Sequence, residues 1–304
     1  MLDHLVAFAR ETPWAVRPET LSVIREVLMR RASGERLSEA EIARLVAEGR
    51  EARLAGDAPM APKGVAVLPL MGIIAPRANL VMDVSQSGTG IDKFSQMFQA
   101  AMENPEVGAI LIDTNSPGGS VYGVDELSRE IYEARGRKPI VAAVNHQMAS
   151  AAFYIGTAAD EVWISPSAEI GSVGVYSMHA DWSGAYEKAG VKVTEIVYGE
   201  NKAALSQNHP LSEEALAFEQ SRVDDYGRAF EAAVARNRGV SADVVHSTYG
   251  QGRMYGAEQA VRLGMADHIG TIRDAANRAF ELMEPGRRLA EVERERMRLE
   301  VLGN

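Results

Sequence analysis

Between residues 65 and 272, short apolar runs alternate with stretches whose apolar residues recur every three or four positions. The runs at 65–70, 107–113, 139–144, 161–165 and 191–197 read as strands, because each is brief and apolar. The stretches at 91–103, 123–135, 150–158, 212–236 and 256–263 read as helices. Strands that alternate with helices stack as βαβ units around a mostly parallel sheet, so the fold class expected is α/β.

The two ends carry other patterns. Leu21, Ile24 and Leu28 fall at helical spacing after Pro18-Glu19-Thr20, and a helical segment is expected from Trp14 to Ala55. Within it Ser38-Glu39-Ala40-Glu41 is a capping box, with Leu37 and Ile42 at the hydrophobic-staple positions. A stretch of small residues and proline at 55–63 precedes the first strand of the main domain. After Asp274 the pattern is helical again, breaks at Pro285-Gly286, and ends in a Glu- and Arg-rich stretch with Leu289, Val292, Met297 and Leu299 interleaved. The expected division is therefore a helical N-terminal segment and linker at 1–60, a main domain at 61–274 and a charged helical tail at 275–304. The tail reads either as a solvated helix or as a contact with another chain, since so few apolar residues barely hold a lone helix.

Charge and composition narrow the function classes. Forty-two acidic residues against 32 basic ones leave a formal charge of −10, which disfavours nucleic acid or an anionic membrane as the main partner. Cysteine is absent, so disulfides, thiol nucleophiles and thiolate metal sites are excluded. No run reaches the roughly 18 to 20 apolar residues of a spanning helix, and Met1-Leu2-Asp3-His4 lacks a secretory layout. The expectation is a cytoplasmic protein without a membrane anchor. The six histidines are dispersed, and Gly171-Ser172-Val173-Gly174 has no following Gly-Lys-Ser/Thr, so neither a metal nor a cofactor is expected.

The chemistry concentrates at two strand ends. Ser150 follows the apolar run 139–144 in Asn145-His146-Gln147-Met148-Ala149-Ser150 and opens a predicted helix. Gly118-Gly119, in Asp113-Thr114-Asn115-Ser116-Pro117-Gly118-Gly119-Ser120, reads as a turn after the upstream strand. Two such turns of a parallel sheet open on one edge, where open α/β sheets place their sites. A serine nucleophile could then meet backbone N–H groups from the glycine turn and from Ala151 around one carbonyl oxygen.

A serine hydroxyl needs a base, and the residues leave three options open. His179 with Asp181 could complete a triad. A lysine could serve if burial lowered its pKa from about 10.4 towards neutrality, a shift worth about 4 kcal/mol. Lysine is scarce here, at 63, 93, 138, 188, 192 and 202, and Lys202 alone lies in a loop past a predicted strand end, in Tyr198-Gly199-Glu200-Asn201-Lys202. The third option is no catalytic base.

Taken together, these motifs resemble the signal peptide peptidase A (protease IV) family of serine peptidases, which has the ClpP/crotonase fold. The resemblance covers about Val65 to Ile272. It rests on Ser116-Pro117-Gly118-Gly119, on Met148-Ala149-Ser150-Ala151-Ala152-Phe153-Tyr154-Ile155 and on Ile170-Gly171-Ser172-Val173-Gly174-Val175. It implies Ser150 as nucleophile, Lys202 as general base, and the Gly119 and Ala151 amides as the oxyanion hole. It also implies polypeptide substrates, no cofactor and a homo-oligomeric ring in which Ser and Lys of one site come from adjacent subunits. The N-terminal segment, Phe153-Tyr154-Ile155 and Ser177-Met178-His179-Ala180-Asp181 look more like the phage and prophage branch. Members of that branch, similar to the lambda capsid protease, cleave scaffold, portal or coat proteins, which would place the chain in a host cytoplasm or a procapsid. Three alternatives share the motifs or the fold: a cytoplasmic peptidase that clears signal peptides, a scaffolding protein without catalysis, and a crotonase-type acyl-CoA enzyme.

Overall fold

The computed structural model describes residues 13–17, 62, 64–77, 88–249 and 251–283. In chain order the elements are β1 (Trp14–Val16), β2 (Val65–Ala75), β3 (Gly88–Gly90), α1 (Ile91–Glu103), β4 (Ala109–Ser120), α2 (Val124–Glu133), β5 (Ile140–Ala149) and α3 (Ala151–Gly156). They continue with β6 (Glu161–Ile164), β7 (Glu169–Gly171), α4 (Ser183–Lys188), α5 (Glu213–Arg238), α6 (Ala242–Thr248), β8 (Met254–Gly256), α7 (Ala257–Arg262) and β9 (His268–Ile269). A last helix, α8, covers 272–283.

The sheet runs β3-β2-β4-β5-β6-β9, and every neighbouring pair along that path is parallel. β1 joins β4 antiparallel, while β7 extends β5 in parallel and pairs antiparallel with β8. This is the α/β arrangement that the alternating pattern predicts. The central strands read as unbroken apolar runs because both faces are covered, and alternate side chains go to opposite layers. Ile110, Ile112, Ile140, Ala142 and Val144 pack into the larger core with Phe94 and Phe98 of α1, Leu127 and Ile131 of α2, and Phe230 and Val234 of α5. Ala109, Leu111, Val141 and Ala143 face the other way and meet Ala275, Ala276, Ala279 and Met283 of α8.

The helices end where the sequence marks them. α1 buries Ile91, Phe94, Phe98, Ala101 and Met102, one stripe at spacings of three and four. In α5 the Ser212 hydroxyl accepts from the Ala215 N–H at 3.1 Å, and Gly239 closes the far end in the left-handed conformation, with φ 67°. Near that end Asn237 is buried, and its side-chain amide donates to Ser128 Oγ at 3.1 Å, Thr157 Oγ1 at 3.1 Å and the Tyr154 carbonyl at 3.3 Å. One amide thus ties α5 to α2 and α3.

Four expectations change. Residues 191–197 form no strand: Ile196 is 95% exposed and the segment has no ladder among the described residues. Its β-branched residues fit a pleated surface, but a strand needs a neighbour to pair with. The strand expected at 107–113 begins at Ala109 and runs on to Ser120, so Gly118-Gly119 is not a turn. Trp14–Val16, expected at the start of a helix, is instead a strand of the main sheet, where β4 offers it a free edge. Residues 275–283 begin inside the core rather than in a tail, because α8 covers an apolar sheet face. The remaining helical expectations at 18–61 and 284–304 lie outside the described residues.

Candidate active site

Ser150 stands between β5 and α3, with φ 55° and ψ −119°. A non-glycine residue held in such a backbone region costs about 1–3 kcal/mol and persists only where its surroundings enforce it. Here they do: the Ser150 N–H donates to the Gly171 carbonyl at 2.8 Å, and its own carbonyl accepts from the Tyr154 N–H at 2.9 Å. α3 is buried throughout, with Ala151, Ala152, Phe153 and Ile155 in the larger core. The elbow therefore fixes the direction of the Ser150 side chain. Its hydroxyl is buried, 1% of the residue being exposed, and Oγ has no hydrogen-bond partner among the described residues. A buried hydroxyl left unpaired costs about 1–3 kcal/mol, which marks it as a group held for something other than stability.

β4 brings its glycines to the same place. Gly118 has φ 99°, and a Cβ added there would stand 2.3 Å from the Ala15 carbonyl oxygen, 2.9 Å from Ser150 Cβ and 3.0 Å from the Ala149 carbonyl oxygen. A Cβ at Gly119 would stand 1.9 Å from the Ile74 carbonyl oxygen. Both positions admit only glycine for reasons of space, and Gly118 also for its backbone. Ser116 shapes the approach, donating its hydroxyl to the Gly72 carbonyl at 2.6 Å and accepting from the Gly118 N–H at 3.1 Å. Ala151 begins α3, so its N–H has no acceptor within the helix.

The candidate bases lie elsewhere in the chain. Lys202 is exposed in a turn, where its backbone N–H donates to the Gly199 carbonyl at 3.1 Å, and its ammonium has no partner among the described residues. It is not hydrogen-bonded to Ser150 within one chain, since Ser150 Oγ has no partner. His179 Nε2 meets the Ser206 carbonyl at 2.9 Å rather than Ser150. Asp181 accepts from the Ser183 N–H at 2.8 Å, which with the neighbouring His179 and His209 holds its carboxyl below the usual range. The chain therefore brings Ser150, Gly118, Gly119 and Ala151 together, leaves Lys202 apart, and does not assemble a Ser150/His179/Asp181 triad. Asp113, upstream in β4, has its carboxyl pushed up to about 6 by burial, against the pull of His146.

Sequence reasoning gave no role to Ser116, Gly171 or Ala15, and expected Gly118 in a turn rather than within a strand. Gly118 and Ser116 stand in the quoted motif, but their roles depend on β4 remaining a strand. Trp14 and Val16 are strand-forming residue types, the one local signal that β1 offered.

The profile of peptidase family S49 matches residues 133–284, half of the chain. The chain belongs to peptidase family S49. That match includes Ser150, Ala151 and Lys202, and begins after the Gly118-Gly119 segment. The S49 chain is 29% identical over 284 residues to the head-tail preconnector protein GP5 of Enterobacteria phage P21, covering 90% of this chain and 56% of that one. It is 31% identical over 212 residues to the capsid assembly protease C of Escherichia phage lambda, covering 70% and 48%. It spans about half the length of these curated relatives. Among solved structures, ClpP1 from Listeria monocytogenes is 15% identical, with a TM-score of 0.42 over 70% of this chain and 94% of that one. Membership of S49 agrees with the serine peptidase family expected from the motifs.

Proposed function

We propose that the chain is a serine endopeptidase with a Ser150/Lys202 dyad, acting in phage capsid maturation on scaffold, portal or coat proteins. The observation that carries the chemistry is Ser150: a strained, buried hydroxyl without a partner, beside two glycines that no other residue can replace. In this reading Ser150 Oγ attacks the scissile carbonyl and its proton passes to Lys202 Nζ. The Gly119 and Ala151 N–H groups hold the oxyanion, the amine leaves with the proton, and a water activated by Lys202 hydrolyses the ester. Likeness to the phage lambda capsid assembly protease and to the phage P21 preconnector supports the capsid role.

The dyad is completed between subunits of a ring. Lys202 lies on an exposed arm, and the arm presents Ile196, Val197 and Tyr198 to solvent, apolar surface that a neighbouring copy would cover. Contact with that neighbour would also supply the desolvation that a lysine base requires. No helix among the described residues is long and apolar enough to cross a membrane, and the host cytoplasm or procapsid interior is the proposed place of action.

The test is subunit complementation on a denatured model protein and on co-expressed coat or portal protein. Ser150→Ala and Lys202→Ala should each be inactive alone and recover hydrolysis when mixed, while His179→Ala stays active. A mixture that assembles but stays inactive would remove the shared dyad. Activity retained in Lys202→Ala and lost in His179→Ala would replace lysine with histidine.

A further inference from the structure

Whatever its partner, a nucleophile that is 1% exposed is covered by something. β1 stands beside it: a Cβ at Gly118 would meet both the Ala15 carbonyl oxygen, at 2.3 Å, and Ser150 Cβ, at 2.9 Å. Trp14, Ala15 and Val16 are all buried, and they lie antiparallel on the strand that carries the two glycines, in the register Trp14–Ser120, Ala15–Gly119 and Val16–Gly118. The Val121 N–H donates to the Pro13 carbonyl at 3.3 Å and the Arg17 N–H to the Pro117 carbonyl at 3.2 Å. Narrow and wide pairs alternate along an antiparallel ladder, so Ala15–Gly119, midway between those two bonded pairs, is a bonded pair in which the Gly119 N–H faces the Ala15 carbonyl. The other edge of β1 is occupied as well, with Trp14 and Tyr176 exchanging both backbone hydrogen bonds at 3.0 Å. This strand therefore fills a slot with hydrogen-bonding edges on both sides, next to the Ser150 side chain.

Such a slot is how an extended polypeptide binds by strand addition, with main-chain bonds for affinity and side pockets for specificity. A side pocket is present: Ala15, Val121, Tyr154 and Phe230 line a mostly apolar cavity of about 310 Å³, whose wall also carries Asp125 and Glu126. The position of Ala15 thus offers a strand residue an apolar recess, and the close approach at Gly118 keeps the backbone of that strand tight against the site.

We propose that residues 13–17 are a resident strand in the polypeptide-binding groove, which occupies the Gly119 donor and covers Ser150 until an incoming extended segment takes its place. The proposal rests on the peptidase reading for the identity of the groove. It predicts that the incoming segment is an extended polypeptide with a small or apolar residue where Ala15 now sits.

The absence of cysteine makes access measurable without catalysis. Ser150→Cys gives the full chain one thiol, whose alkylation by iodoacetamide reads whether the groove is covered. Adding Ala15→Pro, which removes the Ala15 N–H from the ladder, should raise the alkylation rate about fivefold, the factor that one net hydrogen bond supplies. A synthetic peptide spanning residues 11–19 should slow it again. Equal rates with and without Ala15→Pro, or a peptide without effect on the faster variant, would overturn the proposal. If Ala15→Pro loses its melting transition, Arg17→Pro removes the bond to the Pro117 carbonyl together with the side-chain contacts of Arg17, among them the one to Gln147 Oε1 at 3.4 Å, and the same comparison decides. Gated alkylation together with a wild-type chain that hydrolyses nothing would sink the peptidase reading and leave the resident strand standing.

Discussion

Replacing Asn237 with alanine tests whether the buried amide, rather than packing alone, holds the nucleophile helix in place. The side chain has two N–H groups shared among Ser128 Oγ, Thr157 Oγ1 and the Tyr154 carbonyl, and its oxygen accepts from Arg236 at 3.1 and 3.0 Å. Alanine removes all of these bonds but does not orphan every partner. The Tyr154 carbonyl still accepts from Ser128 Oγ at 3.2 Å and from Thr157 Oγ1 at 3.1 Å, and Arg236 keeps Ser128 Oγ at 3.3 Å. The loss is therefore about two net hydrogen bonds with a small void, roughly 2–3 kcal/mol, since each bond contributes about 1 kcal/mol. For a chain of this size that corresponds to a fall of about 5–10 °C in Tm. Calorimetry should show the shift, with urea unfolding of unchanged m-value to confirm that the compactness of both states is preserved. Because the lost bonds converge on Tyr154 in the last turn of α3 and on Thr157 at its C-cap, labelling of Ser150 by a fluorophosphonate should slow in the same variant. A Tm within about 1 °C of wild type would refute the reasoning, because it would mean that water replaces the amide at a site the structure shows as closed.

Three further outcomes follow from individual groups. Gly118→Ala should lower stability by about 2–4 kcal/mol in urea melts, adding the strain of a positive φ to contacts with two backbone oxygens and Ser150 Cβ; an unchanged midpoint would show that the site is looser than described. Asp113 has a folded pKa of about 6 against 3.8, so the folded chain keeps this proton where the unfolded chain has released it. The contribution of Asp113 to stability should then be fully present below pH 4, fall as pH rises from 4 to 6, and level off above. The difference between wild type and Asp113→Asn should change by about 2–3 kcal/mol across that window, and parallel stability curves would remove the burial argument. Phe230→Ala deletes a buried ring stacked on Tyr154 at 4.6 Å, and should cost about 3–5 kcal/mol by urea titration; a loss under about 1 kcal/mol would mean that the neighbouring cavity collapses.

The alternation of strands and helices was legible in the sequence because burial on one or both faces leaves a local period, and α1 lies where its period puts it. The small-residue run at Ser150 and the Gly118-Gly119 pair were legible as chemistry, since few other pressures place those residue types after apolar strands. Local pattern says nothing about partners distant in the chain. It could not show that residues 14–16 close over residues 118–120, or that an amide at 237 reaches groups at 128, 154 and 157. It also read 191–197 as a strand, since apolar and β-branched residues look alike whether a neighbouring strand exists or not. The residues by themselves determined which groups could carry the reaction. Only the tertiary structure decided that Ser150 is strained and covered while Lys202 stands apart, because strain and cover arise from contacts between segments that no local window contains.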